Sequence, residues 1–166
     1  ITQNEYDALG ELKKKKLGGA PLDSLVYDYN IRGWMLGMNR SYVKDTTSTS
    51  NYFGFDLGYD KTSFTVNGGS QSYAAAQYNG NITGMLWRSI GDDMLRKYDF
   101  TYDGGNRLNG ADFNQLNSNS FSKAGGIDFS VNGLTYDDNG NILTLNQKGW
   151  KLGGSVTIDS LLYGYN

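Results

Sequence analysis

The sequence predicts an all-β fold in which antiparallel hairpins are added serially into a curved, twisted sheet. The first observation is a short phrase that recurs along the chain: aromatic, alternate residue, Tyr, Asp or Asn, then Gly, a polar residue and an aliphatic one. Asp23-Ser24-Leu25-Val26-Tyr27-Asp28-Tyr29-Asn30 returns almost unchanged as Asp159-Ser160-Leu161-Leu162-Tyr163-Gly164-Tyr165-Asn166, and further copies surround Tyr6, Tyr78, Tyr102 and Tyr136. Such repetition marks a scaffold of like units. The second is period: apolar residues alternate in steps of two, and no segment of twelve or more residues carries a capped 3.6-residue pattern. The third is composition, because 38% of residues are hydrophobic while Gly numbers 23 and Tyr 13. A broad sheet lined by rings suits that mixture, and a compact helical core does not.

The copy at Tyr136 shows how one unit works. Leu134 and Tyr136 fall on one side of an extended strand, and Asp137-Asp138-Asn139-Gly140 supplies the reversal. Asp137 can accept backbone N–H groups inside the turn, Gly140 can take a positive φ, and Ile142 restarts the alternation. Ile142 with Thr144, or Leu143 with Leu145, is the inward row. Tyr6 to Gly10 and Tyr29 to Gly33 keep the same spacing of four, whereas Tyr102 to Gly105 and Tyr78 to Gly80 read as shortened copies.

In chain order, strands are expected over 6–16 around a turn at Leu9-Gly10, closed by Gly18-Gly19-Ala20-Pro21. Pro21, the only proline, suits a linker better than a central strand. Residues 25–30 and 34–39 form the next hairpin, and the polar stretch 40–51 reads as an irregular excursion. Phe53, Phe55, Leu57 and Tyr59 alternate; with Asp60-Lys61 and the strand-like 62–66 before Asn67-Gly68-Gly69 they predict a hairpin with a degenerate motif. Strands at 73–78 and 81–88 follow, then a turn at Ser89-Ile90-Gly91-Asp92-Asp93, a strand over 94–102 and its partner over 107–113. Residues 114–126 read as a surface loop, with at most a short helical turn at 112–116. Ile127, Phe129 and Val131 resume the period of two.

A chain of 166 residues suffices for one domain. Its formal charge of -2 singles out neither nucleic acid nor an anionic membrane, and the one basic run, Lys13 to Lys16, reads as a solvated strand end or loop. With no histidine and no cysteine, the sequence offers no imidazole base, thiol nucleophile, disulfide or zinc site of those ligands. No run reaches the roughly 20 apolar residues of a spanning helix. The adjacent pairs Asp92-Asp93 and Asp137-Asp138 point to opposite faces of an extended chain, so turn and solvent roles are expected rather than acid–base catalysis. The ligand spacing of an EF-hand is missing around Asp137. No G-x-S-x-G elbow or P-loop occurs. Neither enzymatic activity, a cofactor nor a metal is expected.

The Tyr-Asp…Gly-Asn/Arg-Ile/Leu copies resemble the YD-repeat, or Rhs, family of bacterial secreted and surface proteins. Residues 27–35, 77–87 and 98–103 are similar to the version common in Bacteroides-type bacteria. The resemblance implies a strip of antiparallel sheet that spirals into a hollow shell around a C-terminal cargo domain. Carried here, Tyr29, Tyr102, Tyr136 and Tyr165 match the motif tyrosine; Asn30, Asp103, Asp137 and Asn166 match its Asp or Asn; Gly33, Gly105 and Gly140 match its glycine. All are scaffold positions. Residues 1–166 are then one YD-repeat β domain, expected to be a fragment of a longer array. Its partners would be the remainder of that array or the cargo, and its place the cell surface or the medium. The strand near 161–166 is expected to leave an edge open to self-association. Trp34, Trp87 and Trp150 support an alternative, a carbohydrate-binding or adhesive module in which rings stack on sugars, although packing on the sheet also explains them.

Overall fold

The computed structural model describes residues 2–19 and 22–165. Pro21 and Asn166, named above as linker and motif residues, lie outside them. The strands are β1 (Thr2–Tyr6), β2 (Leu12–Leu17), β3 (Asp23–Tyr29), β4 (Met35–Met38), β5 (Phe53–Gly58), β6 (Ser63–Val66) and β7 (Gly69–Ser72). They continue as β8 (Gly84–Ser89), β9 (Arg96–Tyr102), β10 (Leu108–Asn117), β11 (Ser120–Ser122), β12 (Val131–Tyr136), β13 (Ile142–Lys151) and β14 (Gly154–Leu162). One short helix, α1 (Arg40–Lys44), interrupts them.

Twelve strands form one open antiparallel sheet, ordered β1-β2-β3-β4-β5-β8-β9-β10-β12-β13-β14, with β11 paired to β10. Each strand on this path lies beside its predecessor, apart from the β6–β7 ribbon and β11, so hairpins are indeed added serially. Because the strands alternate in direction, the tyrosine turns fall along one rim and the connections between units along the other.

The two faces differ. On one, Asp56, Leu86, Arg88, Lys97 and Asp99 are buried beneath α1 and the β6–β7 ribbon. Tyr42, Val43, Phe64, Val66 and Tyr73 from these covering segments pack with Leu86 and Leu95 as the core. The two covers start from opposite rims and meet where Asn67 donates its backbone N–H to Lys44 and its side chain to the Thr46 hydroxyl at 2.7 Å. The other face carries the rings. Trp87 stacks on Tyr98 at 5.0 Å, Tyr98 meets Phe113 edge-on at 5.6 Å, and Phe113 meets Phe129 at 5.1 Å.

Tertiary pairing moved several elements from their expected places. The first hairpin begins at Thr2, not at Tyr6, which instead ends β1. The Lys13–Lys16 run lies in β2, within the strands expected over 6–16, and Lys16 pairs with Glu5 at 2.6 Å. The polar excursion after Met38 contains a helix too short to show a period, yet Tyr42 and Val43 on it are fully buried. Residues 112–116 are strand, since Asp112 and Phe113 pair with Asp99 and Tyr98, and the expected 114–126 loop is shortened by the β10–β11 hairpin. No strand forms over 73–78; Tyr73 turns into the core and Ala74 donates to the Asp99 carboxylate at 3.0 Å. The hairpin expected between Phe53–Tyr59 and residues 62–66 does not form either, because β5 pairs with β4 and β8 while β6 pairs with β7. In β13 both candidate rows, Ile142 with Thr144 and Leu143 with Leu145, are half-buried.

Candidate functional site

The recurrent turn is one structure repeated. In four copies the acidic or amide side chain after the tyrosine accepts N–H groups two and four residues ahead: Asp7 from Leu9 and Glu11, Asn30 from Arg32 and Trp34, Asp103 from Gly105 and Arg107, Asp137 from Asn139 and Asn141. These donors stabilise the charged carboxylate. Hydrogen bonds from the Arg107 backbone and guanidinium hold Asp103 below the usual range, and the Asn141 amide leads the same effect on Asp137. The fourth residue after the tyrosine is left-handed, as Gly33 (φ 75) and Gly140 (φ 86) are.

At Tyr102 that position is Asn106 (φ 62), not Gly105, whose φ is not positive. The copy is therefore not shortened; Asn stands where Gly stands elsewhere, an exchange its short polar side chain permits. The copy at Tyr78 keeps the Asn79 side-chain bond from the Asn81 N–H and a left-handed Gly80, but its tyrosine is exposed and takes no part. Gly80-Asn81-Ile82 is the second half of a unit whose first half is Tyr59-Asp60, with residues 61–79 inserted between them.

The tyrosine hydroxyls reveal this. Tyr29 donates to the Leu12 carbonyl at 3.1 Å, Tyr59 to Met35 at 2.9 Å, Tyr102 to Ile82 at 2.8 Å, Tyr136 to Leu108 at 2.5 Å and Tyr165 to Ile142 at 2.8 Å. Leu12, Met35, Leu108 and Ile142 open the return strand of the preceding unit, and Ile82 stands two residues before β8. Leu12, Met35, Leu108 and Ile142 are in turn register partners of Tyr6, Tyr29, Tyr102 and Tyr136. Tyr29, Tyr102 and Tyr136 thus pair across their own turns and reach back one unit through their hydroxyls, while Tyr59 and Tyr165 make the backward bond alone. Burial pushes the phenols of Tyr29, Tyr59 and Tyr102 upward, so they remain donors at neutral pH.

The inserted residues are fastened to the sheet by groups the sequence did not single out. Lys97 and Asp99, paired at 2.7 Å and buried, bind the Ser72 carbonyl and the Ala74 N–H respectively. The ring of Tyr73 lies against the register pair Gly58 and Gly84, where an added Cβ would come within 2.4 and 2.3 Å of it. Arg88, 1% exposed, fastens the other excursion by donating to the carbonyls of Tyr42, Asp45, Thr46 and Ser48, and pairs with Asp93 at 2.6 Å. Asp93 is thus more than a solvated turn residue. A lone arginine in an alternating strand gives no sign of this role.

One cluster has the composition of a catalytic site. Ser130 Oγ lies 3.0 Å from Lys123 Nζ and 2.5 Å from Asp128, with Asp112 and Lys148 adjoining. Burial opposes the charge on Lys123, but the hydrogen bond and field of Asp112, with Asp128, outweigh it and hold the ammonium above its ordinary range. Burial likewise opposes ionisation of Asp128, yet Ser130, Lys148 and Lys123 bring it down to about 2. With both groups locked in their charged forms, Lys123 is no base for Ser130 at neutral pH.

The three tryptophans do not converge. Trp87 joins the ring face, Trp150 is 51% exposed on β13, and Trp34 packs 5.3 Å from Tyr59 at the rim of a cleft that neither of the others lines. Among the described residues, no group of acidic side chains is arranged to hold a metal ion and no helix is long and apolar enough to cross a membrane. No protein-family model matches this sequence, and no curated protein matches it.

Proposed function

We propose that this chain is a non-enzymatic wall segment of an exported, Rhs-like β shell or surface array that encloses or presents another domain. The tyrosine step supports this reading most strongly. At Tyr29, Tyr59, Tyr102, Tyr136 and Tyr165 the same hydroxyl-to-carbonyl bond ties a unit to the one before it. Such a rule extends a sheet indefinitely, because each unit needs only its neighbour. The unequal faces fit a wall: one is thickened by α1 and the inserted ribbon, and the other presents aromatic rings. The partners in this reading are the rest of the array and its C-terminal cargo, and the location is the cell surface or the medium.

Cryo-electron microscopy of the complete gene product tests the reading. Tyrosine-locked hairpins that continue at the same step around enclosed density are the expected result. A sheet capped at both edges by unrelated domains would overturn it. The alternative, a carbohydrate-binding or adhesive module, is favoured by the cleft beside Trp34.

A further inference from the structure

We infer that the cleft bounded by the turn at residues 30–33, α1 and the β6–β7 ribbon binds an anionic saccharide, a pyranose chain bearing carboxylate or sulfate groups. This does not depend on the wall reading. The cleft encloses about 790 Å³, within the roughly 300–1,000 Å³ of small-molecule sites. Three kinds of group line it.

The first is a row of hydroxyls. Ser63 and Thr65 on β6 and Ser70 on β7 are exposed toward the cleft, while Phe64 and Val66 between them are buried in the core. Thr65 and Ser70 are register partners, so their hydroxyls stand side by side. The second is an aromatic wall of Trp34 and Tyr59, held in place because the Tyr59 hydroxyl is bound to Met35 and Trp34 abuts Gly80.

The third is a surplus of cations: Arg32, Arg40, Lys44 and Lys61 against Asp56 and Asp60. Arg40 and Lys44 are both committed to the buried Asp56. Arg32 lies over the Trp34 ring at 5.0 Å, and neither it nor Lys61 has a carboxylate within 4.0 Å among the described residues. In a chain whose net charge is -2, this local excess calls for a negative ligand.

A sugar offers hydroxyls on its edges and an apolar C–H face, matching the hydroxyl row and the aromatic wall. A neutral sugar leaves Arg32 and Lys61 unmatched, and an inorganic anion leaves the other two groups unused. Only a charged saccharide engages all three.

Titration calorimetry on the full chain decides the matter, with a galacturonate tetramer, a sulfated glycosaminoglycan tetrasaccharide, neutral maltotetraose and sodium sulfate as probes. At least one acidic oligosaccharide is expected to bind about tenfold or more tightly than maltotetraose or sulfate, and which one binds identifies the anionic group. The double variant Arg32→Ala/Lys61→Ala should lose about tenfold or more of that affinity. Its thermal unfolding should be unchanged, because both side chains are exposed. Lys151→Ala, outside the cleft, should bind as the parent does. Absence of acidic binding, equal binding of maltotetraose or sulfate, or full affinity in the double variant would overturn the proposal.

Discussion

The hydroxyl of Tyr102 donates to the carbonyl of Ile82 at 2.8 Å, tying the unit that begins at Tyr102 to the one before it. Ile82 stands where Leu12, Met35, Leu108 and Ile142 stand in the other units. The bond therefore identifies 61–79 as an insertion within a turn, and the sheet continues past it undisturbed. The same ribbon, once inserted, became the cover of one face.

The left-handed corner of the turn makes a prediction that separates Asn106 from Gly104. Asn106→Val should cost about 1–2 kcal/mol in denaturant unfolding, as a β-branched residue is forced to positive φ. Asn106→Gly should cost less, losing only the exposed bonds that the Asn106 amide oxygen accepts from Asn79 and Asn81. Gly104→Ala, where φ is not positive and a Cβ meets nothing within 4 Å, should also be mild.

Arg88 anchors the Tyr42–Ser48 excursion by four carbonyl contacts. Arg88→Met should destabilise the fold by about 3 kcal/mol, because the carbonyls of Tyr42, Asp45, Thr46 and Ser48 lose their donor. Arg88→Lys should recover little, since an ammonium cannot reproduce the guanidinium fork. Chemical denaturation of both variants checks the order.

Asp128 gives the fold an acid-sensitive contribution. Its carboxyl sits at about 2 in the folded protein and near 3.9 when unfolded, so its stabilisation is fully present above about pH 4. It is lost as pH falls through the folded value, and its size is on the order of 2 kcal/mol. Asp128→Asn should flatten the stability profile between about pH 4 and 2. An unchanged slope would remove Asp128 from the account.

The outer edge of β14 pairs with nothing else among the described residues, and Leu162 on it is 84% exposed. Self-association in sedimentation velocity should fall in Leu162→Lys, since an edge charge resists strand addition.

Much of the sheet was legible because alternation and turn chemistry are local. Asp137 and Gly140 act in the structure as their residue types imply, and so do Asn30 and Gly33. The misreadings have two causes: spacing within a turn, and partners distant in sequence. Gly105 drew attention as a glycine, whereas the corner is set by spacing and falls on Asn106. Tyr78 looked like a motif tyrosine because the half-unit beginning at Gly80 follows it closely. Arg88, Lys97 and Asp99 alternate as surface residues would, and only the folded excursions turn them into buried anchors. The cleft beside Trp34 was half visible; its cations and hydroxyls come from four separate stretches of chain.

The central claim is that the tyrosine hydroxyl, not merely its ring, locks each unit to the last. Denaturant unfolding of Tyr29→Phe, Tyr59→Phe, Tyr102→Phe and Tyr136→Phe beside Tyr78→Phe measures this directly. Tyr78 is 78% exposed, and its hydroxyl has no partner among the described residues. Each of the first four should lose about 1 kcal/mol, and Tyr78→Phe should lose nothing measurable. Equal losses at all five positions, or none at any, would contradict the account.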